Sequence, residues 1–241
     1  MSDFRVVGAD SLSPVNDLLI ADAASTLGSA PNFWGRYFTS TSTKGTGEYR
    51  HRVENAILNQ HQIRVLPVAR QTNRVGMTHA DGLRDGTANA EDLVATFGGD
   101  YLLSLGGRFR IFLDVEGNGV SHLANDYYLG WTEGLTQGSP DIEIMPCVYG
   151  IPGDTKTWNA LSQALAEGSR CHGVWLSHPF NAKAEPIAWS PLMLAPYQDI
   201  PDVPVLLWQY LFGPTFDRNL VNPDLGDASD FLETLILPPP E

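Results

Sequence analysis

Short β-branched and aromatic runs alternate along the chain with stretches of helical periodicity. Residues 5–10 (Arg-Val-Val-Gly-Ala-Asp) form the first strand-like run. Ser13-Pro14 then has the order of an N-cap followed by a first helical residue. Val15, Leu19, Ala23 and Leu27 keep one face of the following helix apolar. Residues 33–38 predict a second strand, followed by a Gly/Thr/Ser loop and a helix marked by Tyr49, Val53, Ala56 and Ile57. Residues 63–69 predict a third strand, and residues 70–86 read as a long polar loop, a length that often accompanies function. Ala90, Leu93, Val94, Phe97, Tyr101 and Leu105 mark the third helix, with Gly98-Gly99 as a weak point inside it.

The rhythm continues with a strand over 110–116, a helix marked by Leu123, Tyr127, Trp131 and Leu135, a strand over 143–149, a helix marked by Trp158, Leu161 and Leu165, and a strand over 173–178. It then changes. Residues 179–204 are proline-rich with no convincing long helix; 205–210 and 216–221 predict two more strands, and 227–236 a closing helix. Strands alternating with helices predict βα units and a mainly parallel sheet. A closed α/β barrel fits six to eight such strands, and a doubly wound open sheet is the alternative that the pattern alone does not exclude.

Composition narrows the function classes. Of 241 residues, 43% are apolar and 18% charged, a globular balance with enough chain for a sizeable core. The formal net charge of −13 argues against nucleic-acid partners and anionic membrane surfaces. Cys147 and Cys171 are too few for a disulfide framework and read as buried small residues. The fullest apolar run, 203–212, is broken by Pro204 and Gln209 and is too short for membrane insertion. The first five residues lack the basic start and apolar stretch of a signal peptide. The expectation is one soluble domain over 1–237, made in the cytoplasm or trimmed from something longer, with 238–241 as a proline-rich tail or the start of a stiff linker.

The run Phe112-Leu113-Asp114-Val115-Glu116 ends an apolar strand in two carboxylates. Residues i and i+2 of a strand share a face, about 6.6 Å apart at Cα. At the C-terminal end of a barrel strand that face looks into the active-site mouth. Two acids there can divide into a protonated donor and an ionised partner. Asp10 ends the first strand in the same way, and Asp217 stands at or beyond the end of the seventh. Read separately, Asp10 is a turn or capping aspartate and Asp217 an ion-pair partner of Arg218; read together, the acids converge on one mouth. Tyr37, Tyr149, Trp175, Trp208 and Tyr210 lie in or at the ends of strands, where flat rings either stack on sugars or fill the core. His178 ends the sixth strand and faces either the mouth or the core.

Other motifs fail. Gly117-Asn118-Gly119 has His122 at the third glycine position of a dinucleotide fingerprint and follows two acids. There is no phosphate-binding loop, no nucleophile elbow and no zinc spacing among the six histidines. No cofactor and no metal is expected.

The order of these residues resembles the glycoside hydrolase family 25 lysozymes and the related glycoside-hydrolase-like domains. The match runs through Gly8-Ala9-Asp10, Phe33-Trp34-Gly35-Arg36-Tyr37, Leu113-Asp114-Val115-Glu116, Val148-Tyr149-Gly150, Val174-Trp175-Leu176, Trp208-Gln209-Tyr210 and Asp217-Arg218-Asn219. It implies an irregular TIM-like barrel of five βα units followed by three strands with reduced helices. It also implies cleavage of an amino-sugar polymer of the peptidoglycan type. Glu116 would be the general acid and base, Asp114 the stabiliser of positive charge and orienter of an acetamido group, and Asp10 and Asp217 the residues that set the local field. Tyr37, Tyr149, Trp175, His178, Trp208 and Gln209 are the candidates for sugar contact. The chain departs from the family at Ala9-Asp10-Ser11-Leu12, at Leu176-Ser177-His178, and in 70–86 and 179–204. A non-catalytic glycan-binding or interaction domain on the same barrel is the competing class, and a metal-dependent hydrolase a third. An anionic protein gains no attraction to an anionic wall. A wall-degrading role therefore requires a bound partner, a further binding module or an uncharged substrate.

Overall fold

The computed structural model describes residues 5–38, 48–71, 73–115, 121–177, 188–190, 197, 200–226 and 228–240. Its elements are β1 (Val7–Asp10), α1 (Asp17–Leu27), β2 (Phe33–Phe38), α2 (His51–Gln60), β3 (Arg64–Ala69), α3 (His79–Phe97), α4 (Gly99–Ser104), β4 (Arg108–Asp114), α5 (Asn125–Gly138), β5 (Glu143–Gly150), α6 (Thr155–Ala166), β6 (Val174–Ser177), β7 (Val205–Leu211), β8 (Asp217–Val221) and α7 (Ala228–Glu233). The eight strands close in sequence order into one barrel. β1 to β7 run parallel, and β8 is antiparallel to both β7 and β1. The fold is thus a TIM-like α/β barrel with helices after each of the first five strands, and the open-sheet alternative is excluded.

Strand alternation divides the apolar side chains into two cores. Phe33, Leu66, Val68, Phe112, Cys147, Tyr149, Trp175, Leu207 and Val221 pack inside the barrel, joined by Phe231 and Leu235 from the C-terminal segment. Their strand neighbours Trp34, Val65, Ile111, Leu113, Val148, Val174, Leu176 and Trp208 face outward and pack with the helices.

Two helix starts differ from the sequence expectation. α1 begins later than Ser13-Pro14: Asn16 is its N-cap, accepting from the Leu19 amide at 3.0 Å, and Val15 precedes the helix with its amide on Glu54 at 2.9 Å. α3 begins at His79 behind a Thr78–Asp81 capping box, so half of the expected 70–86 loop is helix. The buried face of that first half carries Gly82, Asp85, Gly86 and Asn89, which apolar periodicity does not detect. Gly98 and Gly99 then separate α3 from α4 rather than weakening one helix.

The glycines explain how α3 packs on α5. An added Cβ at Gly82 or Gly86 would lie 2.1 Å from the carbonyl oxygen of Tyr127 or Trp131, and at Gly130 it would lie 2.0 Å from that of His79. The two backbones therefore meet with no side chain between them. Beside this seam Asp85 accepts from Arg74 at 2.6 Å and Tyr127 at 2.8 Å, and Asn89 accepts from Gln71 at 3.1 Å and Trp131 at 3.0 Å. Among the described residues no helix is long and apolar enough to cross a membrane.

Candidate active site

The C-terminal ends of the parallel strands form one mouth, and β8 enters it from the opposite direction. Asp10 is the last residue of β1, Asp114 the last of β4, and Asp217 the first of β8. Because β8 is antiparallel, its first residue stands at the rim where the other strands end. Asp10 and Asp217 are register partners across β1 and β8. Asp10 and Asp114 are each 5% exposed, so they form the floor of the mouth rather than its rim. Gly35 makes room for Asp10: a Cβ there would lie 2.6 Å from that of Asp10.

Tyr37 reports the convergence of the three acids. Burial, followed by the charges of Asp10 and Asp114, pushes its phenol well above the ordinary value; Asp217 adds to the rise and Arg70 opposes it. The Arg70 guanidinium lies 5.2 Å from the centre of the Tyr37 ring, within cation–π range. The mouth therefore holds three carboxylates, a phenol that keeps its proton and one stacked guanidinium.

A buried amide joins two of the acids. Gln209 of β7 donates through Nε2 to Asp10 at 3.0 Å and to Asp217 at 3.4 Å. Its Oε1 accepts from the Tyr149 hydroxyl at 2.6 Å and from Ser177 Oγ at 2.9 Å. Asn219 donates to the same Asp10 oxygen at 2.7 Å, and the Gly213 amide donates to Asp217 at 2.8 Å.

The sugar-contact candidates separate. Tyr149 and Trp175 point inward with ring centres 4.3 Å apart and planes tilted by 45°, and Trp175 meets Phe112 edge-on at 5.7 Å. Both are almost wholly buried and form a layer beneath the acids. Trp208 is not brought to the mouth. It alternates with inward-facing Gln209 and packs in the outer core, with ring centres 6.4 Å from Trp189 and 5.8 Å from Tyr210. Glu116 and His178 lie outside the described residues.

The structure adds Arg70, Ser177 and Asn219 to the mouth. Each stands two positions from an inward residue, Val68, Trp175 and Asp217 respectively, and that parity was the available signal. Among the described residues, no group of three or more His, Cys, Asp or Glu is arranged to hold a metal ion. A groove of about 690 Å³, lined by Thr132, Ser139, Glu143, Arg170 and His172 among others, opens at the opposite end of the barrel and contains none of the candidate residues.

No model of a known protein family matches the chain, and no curated protein matches it. Solved structures do. An uncharacterized B. stearothermophilus protein superposes with a TM-score of 0.69 at 20% identity, over 95% of this chain and 99% of that one. The catalytic domain of an endolysin from a Listeria monocytogenes bacteriophage gives 0.56 at 15% identity, over 97% and 100%. The Clostridium perfringens spore cortex lytic enzyme SleM gives 0.57 at 13% identity, over 93% of this chain and 69% of that one. At these identities the likeness is one of fold.

Proposed function

We propose that the chain is a glycoside hydrolase of the lysozyme type, acting on an amino-sugar polymer of the peptidoglycan class. The observation that carries this reading is the meeting of Asp10, Asp114 and Asp217 around Tyr37 at one barrel mouth. Lytic enzymes of bacterial walls and spore cortex share the fold, which favours the same substrate class. Fold alone does not assign function, so the roles rest on the acids.

Glu116, two residues beyond Asp114 in the sequence, is assigned the general acid that protonates the glycosidic oxygen as the bond to the sugar carbon breaks. Asp114 is assigned to face the oxocarbenium-like carbon, where an ionised carboxylate stabilises the developing positive charge. Water then adds to that carbon, and Glu116 takes up its proton. Asp10 and Asp217 accept from amide donors, and as carboxylates they are assigned to raise the proton affinity of the general acid.

Release of reducing ends from purified peptidoglycan and from chitooligosaccharides tests the reading. Wild-type protein is expected to release product, and Glu116→Gln and Asp114→Asn to lose about 10²–10⁴-fold in kcat. Equal activity in Glu116→Gln and wild type would remove Glu116 from its role. Glycan binding with no product from wild type would favour the non-catalytic reading.

A further inference from the structure

Gln209 is 1% exposed and has no hydrogen-bonding capacity left for a substrate. A primary amide carries two N–H donors and two acceptor sites, and all four are used: two hydroxyls on the oxygen, two carboxylates on the nitrogen. Its orientation follows from these partners. Reversed, the amide oxygen would face the oxygens of Asp10 and Asp217, two acceptor–acceptor contacts that only a proton on a carboxyl would relieve. As placed, the N–H groups meet carboxylates, the stronger charge-assisted arrangement. The hydroxyls of Tyr149 and Ser177 hold the amide this way from behind. Asn219 and the Gly213 amide extend the same pattern with two more N–H donors, one to Asp10 and one to Asp217.

We infer that Gln209 is a positioning residue, an amide clamp through which Tyr149 and Ser177 keep Asp10 and Asp217 together as two ionised carboxylates. The inference rests on the glycosidase reading for its catalytic consequence and on geometry alone for its electrostatic one. Two register-paired carboxylates repel, and one of such a pair takes up a proton unless donors stabilise both charges. Among the described residues, Tyr37 on β2, Arg70 after β3, Asp114 on β4 and Tyr149 on β5 are charged or titratable groups near the clamp. Among these described groups Arg70 is the cation, and the amide N–H groups add charge-assisted donors to both acids. Tyr149, expected from sequence to touch sugar, is thereby placed one step behind the acids.

Gln209→Met keeps the bulk and removes all four hydrogen bonds. Isotope-edited NMR titration of the side-chain carboxyls is expected to show Asp10 or Asp217 taking up its proton about one pH unit higher than in wild type. In glycan cleavage, the bell-shaped profile of kcat/KM is expected to narrow from its acid side. The acid limb moves to higher pH because a required carboxylate protonates earlier, while the basic limb, where that carboxylate is ionised in both proteins, stays in place. Tyr149→Phe, which leaves the clamp in place but removes one of its supports, should show the same narrowing to a smaller degree and add nothing in the Gln209→Met background. It also serves if Gln209→Met fails to fold. A raised KM with an unmoved pH profile would make Gln209 a substrate contact and overturn the inference, as would unmoved carboxyl titrations. If wild type cleaves no glycan, the glycosidase reading fails by itself and the titrations alone decide the clamp.

Discussion

Ile236 pairs with Val65 in an antiparallel bridge, with the Val65 amide donating at 2.7 Å and the Ile236 amide at 3.1 Å. This bridge lies where the pairing between β3 and β4 runs out. β3 and β4 pair only through Val68–Phe112 and Ala69–Leu113 near the mouth. Below that point the strands part, and the C-terminal segment fills the seam: Arg110 donates its amide to the Thr234 carbonyl at 2.9 Å. Arg64 reaches the Leu235 carbonyl at 3.2 Å and Tyr101 the Leu237 carbonyl at 2.9 Å. Ile236 itself is fully buried. Ile236→Ala is expected to cost about 2–5 kcal/mol. Removal of residues 234–241 should cost more, because it also strands the Val65 and Arg110 amides. Denaturant unfolding checks both, and a change below about 0.5 kcal/mol, the range of neutral surface substitutions, would mean that the seam closes without this segment.

A second lock lies behind Asp10. Arg36 and Glu54 are both fully buried and meet in a two-pronged ion pair at 2.8 and 3.0 Å. Glu54 also accepts the amides of Val15 at 2.9 Å and Arg50 at 2.8 Å, and Arg36 donates to the Ser11 carbonyl. One pair thus ties β2 and α2 to the chain leaving β1. Glu54→Gln or Arg36→Met, each leaving one buried charge unpaired, should cost about 3–5 kcal/mol. The double variant Arg36→Met/Glu54→Gln should cost clearly less than the sum of the single losses, because no charge is stranded. Strict additivity in thermal or chemical unfolding would show that the two residues act independently.

Much of this was legible in the sequence, and the failures have physical causes. The alternation of strands and helices led to βα units and a parallel sheet because the strands are apolar and the helices carry ordinary apolar stripes, and it left the barrel and the open sheet undivided until the order of the site motifs favoured the barrel. The acids were legible because a carboxylate ending an apolar run has few structural uses. Trp208 was misplaced because its strand is buried on both faces, so aromatic identity does not say which face is inward; the parity of Gln209 does. The start of α3 was missed because its buried face is made of Gly82, Gly86, Asp85 and Asn89, chosen for backbone contact and hydrogen bonding rather than apolar area. The direction of β8 has no local signature; it is a property of the connection.

Alkaline stability should reveal the buried phenols and thiols. Burial first of all pushes Tyr37, Tyr49, Tyr127 and Tyr128 above the ordinary tyrosine value, with Asp85 adding to the rise at Tyr127 and Glu54 at Tyr49. Burial also raises the Cys147 thiol well above its ordinary value and Cys171 to about 11. Each group binds its proton more tightly folded than unfolded. Its contribution is complete below the unfolded value and is lost as pH rises toward the folded one. Stability should therefore be level below about pH 8, begin to fall as unfolded thiols ionise, and fall more steeply above about pH 10 as unfolded tyrosines ionise. Each group contributes a slope of up to about 1.4 kcal/mol per pH unit. Urea midpoints measured across this range test the sign, and a midpoint that stayed constant through the tyrosine range would contradict the burial of these side chains.

Gly35 separates activity from stability. It faces Asp10 across the β1–β2 register, and an added Cβ would lie 2.6 Å from the Asp10 Cβ and 3.5 Å from the edge of Trp175. The near atom belongs to the root of the Asp10 side chain, which cannot rotate away as the end of a long side chain can. Gly35→Ala must therefore shift Asp10 or the strand that carries it. Overpacking of this kind costs about 1–3 kcal/mol, which leaves the fold in place. If Asp10 has its proposed role at the mouth, a shift near 1 Å in it is expected to cost on the order of 10²-fold in kcat/KM. Gly99→Ala is the matched control: its nearest neighbour is Val94 at 3.9 Å, so it is expected to stabilise by about 0.4–1 kcal/mol and to leave cleavage unchanged. If Gly35→Ala lowers the melting temperature while glycan cleavage stays at the wild-type level, the position of Asp10 does not matter to the chemistry, and its assigned role in the mouth is wrong.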